Sequence, residues 1–162
     1  GVGAALARLK QAGARLVVVT NQSGLGRGYF ASRDLEAIHS KLRLVLAEDG
    51  VTLDGLYFCP HHPDDHCNCR KPARGMIDRA HTELQVDLSR AYVVGDSARD
   101  VELARQVGAK GLLVMTGPPG AEALADLTAR DLSPDHVADD LSQAVEWIIA
   151  HATRKAAADV PR

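Results

Sequence analysis

Apolar and polar positions along the 162-residue chain alternate between two spacings. Residues 3–12 set Ala4, Leu6, Ala7 and Leu9 among Arg8, Lys10 and Gln11, which is a helix with one apolar stripe, and Gly13 follows as its stop. Leu16 to Val19 then runs without polar interruption, predicting a strand covered on both faces. Residues 32–48 predict a helix with Ser32 as N-cap, with Leu35, Ile38, Leu42, Val45 and Leu46 facing inward and Gly50 as the stop. A short strand follows near 55–58, then a helix over 73–84 through Met76, Ile77, Ala80 and Leu84. A third strand ends at Gly95-Asp96, and a helix carrying Val101, Leu103, Ala104 and Val107 stops at Gly108. The fourth strand lies at about 111–115. Residues 117–135 read mostly as connection with a weak helical stretch. An edge stub at 137–138 and a helix over Leu141, Val145, Ile148 and Ile149 close the domain, and 153–162 is expected to fray.

Helices alternating with buried-type strands predict one α/β domain over 1–152, an open, mostly parallel, Rossmann-like sheet with helices on both faces. No insertion is long enough for a large cap domain. In such sheets ligands sit beyond the carboxyl ends of the strands. Three strand ends carry polar, loop-forming sequence: Thr20-Asn21-Gln22-Ser23, Cys59 onward, and Gly95-Asp96-Ser97.

Composition narrows the function classes. Hydrophobic residues make up 46% and charged residues 25%, as in water-soluble globular proteins. The net charge of -2 gives no field that would draw the chain to nucleic acid or anionic lipid, so an anionic substrate must be held by local positive groups. No apolar run approaches the roughly 18 residues of a membrane span, and the first residues, interrupted by Arg8 and Lys10, are not expected to be a signal peptide. No apolar helix face is left over once the sheet is covered, so a monomer is expected. The three cysteines all lie between 59 and 69, an odd and tight set that suits metal binding in a reducing, cytoplasmic compartment better than disulfides.

The candidate chemistry clusters at the strand ends. Thr20, Asn21, Ser23 and the glycines 24, 26 and 28 offer hydroxyl, amide and backbone donors suited to phosphate, although a flexible polar turn would have the same composition. They match neither the P-loop nor the dinucleotide fingerprint. Asp96 at a strand end and Asp100 on the next helical turn suit a hard cation such as magnesium; Asp100 alone would also suit a helix N-terminus. Arg70 and Lys71, before Pro72, can balance phosphoryl and carboxylate charge, unless they are simply exposed cations. Cys59, His61, Cys67 and Cys69 form a C-x-H-x5-C-x-C set suited to tetrahedral zinc with no open position, hence structural; His62 or His66 could replace His61.

Taken together, VVVTNQSGLGRGYF, CPHHPDDHCNCRKPARGM and VVGDSARDVELARQVGA resemble the heptose 1,7-bisphosphate 7-phosphatases, a zinc-containing branch of the haloacid-dehalogenase-like phosphatases. The resemblance implies a magnesium-dependent phosphatase in nucleotide-activated heptose synthesis for lipopolysaccharide, acting on a phosphorylated sugar through an aspartyl-phosphate. Histidinol-phosphate phosphatase shares the zinc loop and is the rival among enzymes; a zinc-stabilised non-catalytic homologue is the alternative if no upstream Asp-x-Asp exists. The resemblance implies that Thr20, with Asn21 beside it, binds the transferring phosphoryl group and that Lys71 steadies the nucleophile and phosphoryl charge. It places Ser23, Arg27 and Arg70 on the substrate, Asp96 on magnesium, Asp100 indirectly on the same ion, and zinc on Cys59, His61, Cys67 and Cys69. The family nucleophile sits in an Asp-x-Asp-Gly segment that occurs nowhere in the 162 residues. It is expected upstream, on a central strand.

Overall fold

The computed structural model describes every residue except Pro118 and 159–162. Its elements follow one another as α1 (Val2–Gln11), β1 (Val17–Asn21), α2 (Ser23–Gly26), α3 (Ser32–Glu48), β2 (Gly55–Cys59), α4 (Gly75–Leu84), β3 (Tyr92–Gly95), α5 (Ala98–Val107), β4 (Lys110–Val114), α6 (Pro119–Ala129), β5 (His136–Ala138) and α7 (Leu141–Ala158). Two 3-10 turns, Pro63–Asp65 and Leu88–Arg90, interrupt the connections.

Local chemistry sets the element boundaries. The Ser97 hydroxyl accepts from Arg99 N at 3.3 Å to cap α5, Asp100 occupies its acidic first turn, and Gly108 ends it at φ 73°. The Asp34 carboxylate accepts from Ala31 N at 2.8 Å, which makes Ala31 the cap position of α3 and Ser32, expected as the cap, its first helical residue. Asp54 anchors the start of β1, accepting from Leu16 N at 2.6 Å and from Lys10 Nζ at 2.9 Å.

All strand pairings are parallel, as expected for strands joined by helical crossovers. β1 pairs with β2 from Val17↔Gly55 to Asn21↔Cys59; β3 pairs with β4, and β4 with β5. Among the described residues the strands form two hydrogen-bonded groups, β1-β2 and β3-β4-β5, in which β1 and β3 each have a partner on one side only. Residues of β4 alternate between two cores. Leu112 and Val114 pack with Ala5 and Leu9 of α1 and Ala144, Val145 and Ile148 of α7, whereas Leu113 packs with Val101 of α5 and Ala123 and Leu127 of α6. Tyr57 and Cys59 of β2 pack with Met76 and Ala80 of α4. β4 is buried over Gly111–Val114, while every residue of β1 and β3 stays half-buried.

Three further expectations are corrected. The stretch after β4 holds a full helix, α6, because Ala123 and Leu127 gain a partner in Leu113 that local sequence does not reveal. The closing helix runs to Ala158 and so orders 153–158, with Lys155 Nζ donating to Ser89 O at 3.2 Å; the rest of the expected frayed tail lies outside the described residues. Finally, α3 buries only Leu35 and Leu46, leaving Ile38 58% and Val45 42% exposed. An apolar helix stripe is therefore left over, and the stated ground for expecting a monomer does not hold.

Candidate active site

The carboxyl ends of β1, β2 and β3 carry the chemistry-bearing residues. At the end of β1, Thr20 Oγ1 accepts from Gln22 Nε2 at 3.0 Å. Gln22 N donates to Cys59 O at 2.8 Å, which holds this turn against the end of β2. Asn21 faces the segment after β2: its Nδ2 donates to Lys71 O at 3.2 Å, and Lys71 N donates to its Oδ1 at 2.9 Å. Ser23 opens the short helix α2, and Arg27 is exposed just beyond it. A Cβ on Gly26 would overlap the backbone of Pro60, His61 and His62, so only glycine lets α2 lie this close to the cysteine loop.

Lys71 joins the two halves of the site. Its Nζ donates to Asp100 Oδ1 at 2.7 Å, with side-chain exposures of 17% and 6%. Asp100 is the one buried charged residue among those described, and it lies under Gly95, where a Cβ would overlap its carboxylate. Asp96 stands exposed just beyond β3. The guanidinium of Arg70 has a buried Nη1 with no hydrogen-bond partner among the described residues, a costly state.

Cys59, His61, Cys67 and Cys69 converge, with one donor atom from each within 4.8 Å of the others. Cys59 Sγ lies 3.5 Å from both His61 Nδ1 and Cys67 Sγ, and Cys69 Sγ lies 3.2 Å from His61 Nδ1. A tetrahedral ion with bonds of about 2.3 Å to sulfur separates its ligands by somewhat under 4 Å, so the set fits one closely. His61 is the imidazole in the group. His62 instead accepts from Asp64 N at 3.3 Å, and His66 is an exposed left-handed residue ending the Pro63–Asp65 turn. Burial would raise the Cys67 thiol, but the Cys69 N–H, the Cys59 and Cys69 sulfurs and the Arg70 N–H outweigh it and bring it to about 7. Burial and the same crowding of sulfurs push Cys69 up to about 12, and burial raises Cys59. A bound cation relieves this crowding by taking the thiols as thiolates.

Among the described residues no other group of three or more potential ligands lies as close together, so Asp96 and Asp100 are not part of a ready-made carboxylate cluster. The structure links Asn21, Lys71 and Asp100 through hydrogen bonds, with Thr20 next to Asn21 on β1 and bonded to Gln22, while Ser23 and Arg27 lie on and just beyond α2. Sequence reasoning gave no role to Gln22, and it gave Gly26 only a share in the backbone donors suited to phosphate, not its close approach to the cysteine loop. For Gln22 the available signal was an amide two residues from the strand-end hydroxyl.

Comparison with known proteins bears on this geometry. The profile of the HAD-hydrolase-like family matches residues 68–144. The chain is 49% identical to the D-glycero-beta-D-manno-heptose-1,7-bisphosphate 7-phosphatase of Pseudomonas aeruginosa over 70% of its own length and 64% of that relative. With the enzyme of the same name from Yersinia pestis it shares 43% identity over 82% of its length and 77% of that relative. The chain belongs to the heptose-bisphosphate phosphatase family.

This family lies within the haloacid-dehalogenase-like fold. The crystal structure of D,D-heptose 1,7-bisphosphate phosphatase from B. bronchiseptica, complexed with magnesium and phosphate, superposes with a TM-score of 0.83 at 40% identity. That match covers 92% of this chain and 82% of the other. The match to the Pseudomonas aeruginosa family member spans just under two thirds of its length. No helix among the described residues is long and apolar enough to cross a membrane.

Proposed function

We propose that the protein is a magnesium-dependent phosphatase that removes the 7-phosphate of D-glycero-D-manno-heptose 1,7-bisphosphate. It would act in nucleotide-activated heptose synthesis for lipopolysaccharide, in the cytoplasm. The observation that carries the reading is the Lys71–Asp100 pair, linked through Asn21 to the strand end that bears Thr20, in a member of this phosphatase family.

Each residue has a separable task. With one lone pair of Thr20 Oγ1 taken by Gln22, its O–H stays free to donate and would do so to a phosphoryl oxygen. Lys71, held by Asp100, offers a fixed positive charge to the transferring group. Arg70 would contact a substrate anion, and Ser23 and Arg27 would face the rest of the sugar or its second phosphate. Asp96 would hold magnesium, with Asp100 acting on it indirectly; when bound, the ion neutralises phosphate oxygens so that an anionic nucleophile can approach. Support for magnesium comes from the B. bronchiseptica enzyme, complexed with magnesium and phosphate. Zinc would take Cys59, His61, Cys67 and Cys69 and keep the loop after β2 in place.

The nucleophile would be an aspartate on a strand from upstream polypeptide, inserted between β1 and β3, and the reaction would pass through its aspartyl-phosphate. The one-sided pairing of β1 and β3 and the half-exposure of Val17–Val19 and Tyr92–Val94 support this position, because apolar β-branched strands are normally paired and covered.

A kinetic comparison of heptose 1,7-bisphosphate and histidinol phosphate, on polypeptide that includes the upstream segment, tests the reading. A higher kcat/KM for the heptose is expected. Preference for histidinol phosphate would overturn it.

A further inference from the structure

The geometry points to Asn21 as a positioning residue for Lys71 rather than a group that touches phosphate. This rests on the phosphatase reading and deepens it.

Lys71 sits on the connection between β2 and α4, whose one piece of regular structure is the Pro63–Asp65 turn. A residue on such a segment does not hold its ammonium in place through its own secondary structure. Two contacts do so instead. At the tip, Asp100 takes Nζ at 2.7 Å. At the root, Asn21 reads both polar groups of the Lys71 main chain, accepting from its N–H at 2.9 Å and donating to its carbonyl at 3.2 Å.

The pairing treats Lys71 as a neighbouring strand would, through one donor and one acceptor on a single residue. Asn21 is the last residue of β1, in register with Cys59, so the amide is mounted on the sheet. The chemistry asks for asparagine. Aspartate would lose the donor to the Lys71 carbonyl, glutamine would displace the root by a methylene, and leucine would leave both main-chain groups unpaired. Thr20, one residue earlier, is the neighbour whose hydroxyl is available to the phosphoryl group. The two adjacent side chains thus divide the work, one binding substrate and the other aiming the lysine.

Catalysis by a point charge depends on its placement, and a misplacement of about 1 Å can cost about 100-fold in rate. With the full polypeptide, Asn21→Ala is expected to lower kcat by about this factor while leaving KM near the wild-type value. In a Lys71→Ala background the same substitution is expected to have no further effect, because Asn21 acts through Lys71. Amide exchange at Lys71 is expected to accelerate in Asn21→Ala, which supplies a readout independent of turnover.

A raised KM with kcat retained would make Asn21 a substrate ligand and overturn the assignment. An equal loss in the Lys71→Ala background would make it a general stabiliser and overturn it too. If Lys71→Ala falls below detection, the division between kcat and KM in the single variant decides. If wild-type protein releases no phosphate from any substrate, the phosphatase reading fails instead. The exchange rate still judges the clamp, and an unchanged Lys71 amide in Asn21→Ala would refute it.

Discussion

The Lys71 ammonium and the Asp100 carboxylate meet at 2.7 Å, joining the connection after β2 to the first turn of α5. Both side chains are largely withdrawn from water, so each is the other's main compensation for lost hydration. Asp100→Ala should therefore cost about 3 kcal/mol in stability and lower kcat about 100-fold, measured by denaturant unfolding and by phosphate release. Replacing both partners, Lys71→Met with Asp100→Leu, should recover much of the stability and none of the turnover. Recovery of activity in that pair would show that the charges are structural.

Gly26 allows α2 to touch the backbone of His61 and His62. Gly26→Ala should cost about 1–3 kcal/mol through overpacking. It should also raise KM by shifting the loop that carries Ser23 and Arg27. Crystallography of the variant should find α2 moved away from the cysteine loop; an unmoved α2 with unchanged KM would contradict the coupling.

Metal content is the test of the four-ligand cluster. Purified protein should carry one zinc ion per chain, held by Cys59, His61, Cys67 and Cys69. Stripping it should lower Tm by about 5 °C or more and expose all three thiols to titration. Protein without zinc and with freely reacting thiols would refute the assignment.

Asp54 makes a pH-dependent contribution. Burial alone would raise its carboxyl, but the Leu16 N–H and the Lys10 ammonium outweigh this and hold it below the ordinary value near 3.8. A depressed folded-state value means stability fully present above the unfolded value and lost as pH falls through the folded one. Asp54→Asn should thus cost about 1 kcal/mol at pH 7, with the gap to wild type closing below about pH 4. A gap independent of pH would show that the contact is not electrostatic.

Much of this was legible in the sequence, for physical reasons. The α5 segment announces itself by Ser97, Asp100 and Gly108, which satisfy or terminate the helix locally. The cysteine spacing announces a metal because three thiols and an imidazole have few other uses together. Less legible was anything decided at long range. The helix α6 depends on packing against Leu113, and the outward stripe of α3 could not be told from an inward one by periodicity alone. The partner of Asn21 lies 50 residues away, so its type and place on a strand end suggested phosphate while its geometry leads to a lysine backbone. The helix α7 continues through an Ala-rich stretch with high intrinsic helix propensity, which a reading based on terminal position undervalued.

The central claim is hydrolysis of one particular phosphate ester. Phosphorus NMR distinguishes the monoester on C7 of heptose 1,7-bisphosphate from the phosphate on the anomeric carbon. With magnesium and a polypeptide that includes the proposed upstream segment, the account predicts loss of the C7 signal, growth of inorganic phosphate and an intact anomeric signal. Loss of the anomeric phosphate, or no release at all with an upstream Asp-x-Asp present, would contradict it.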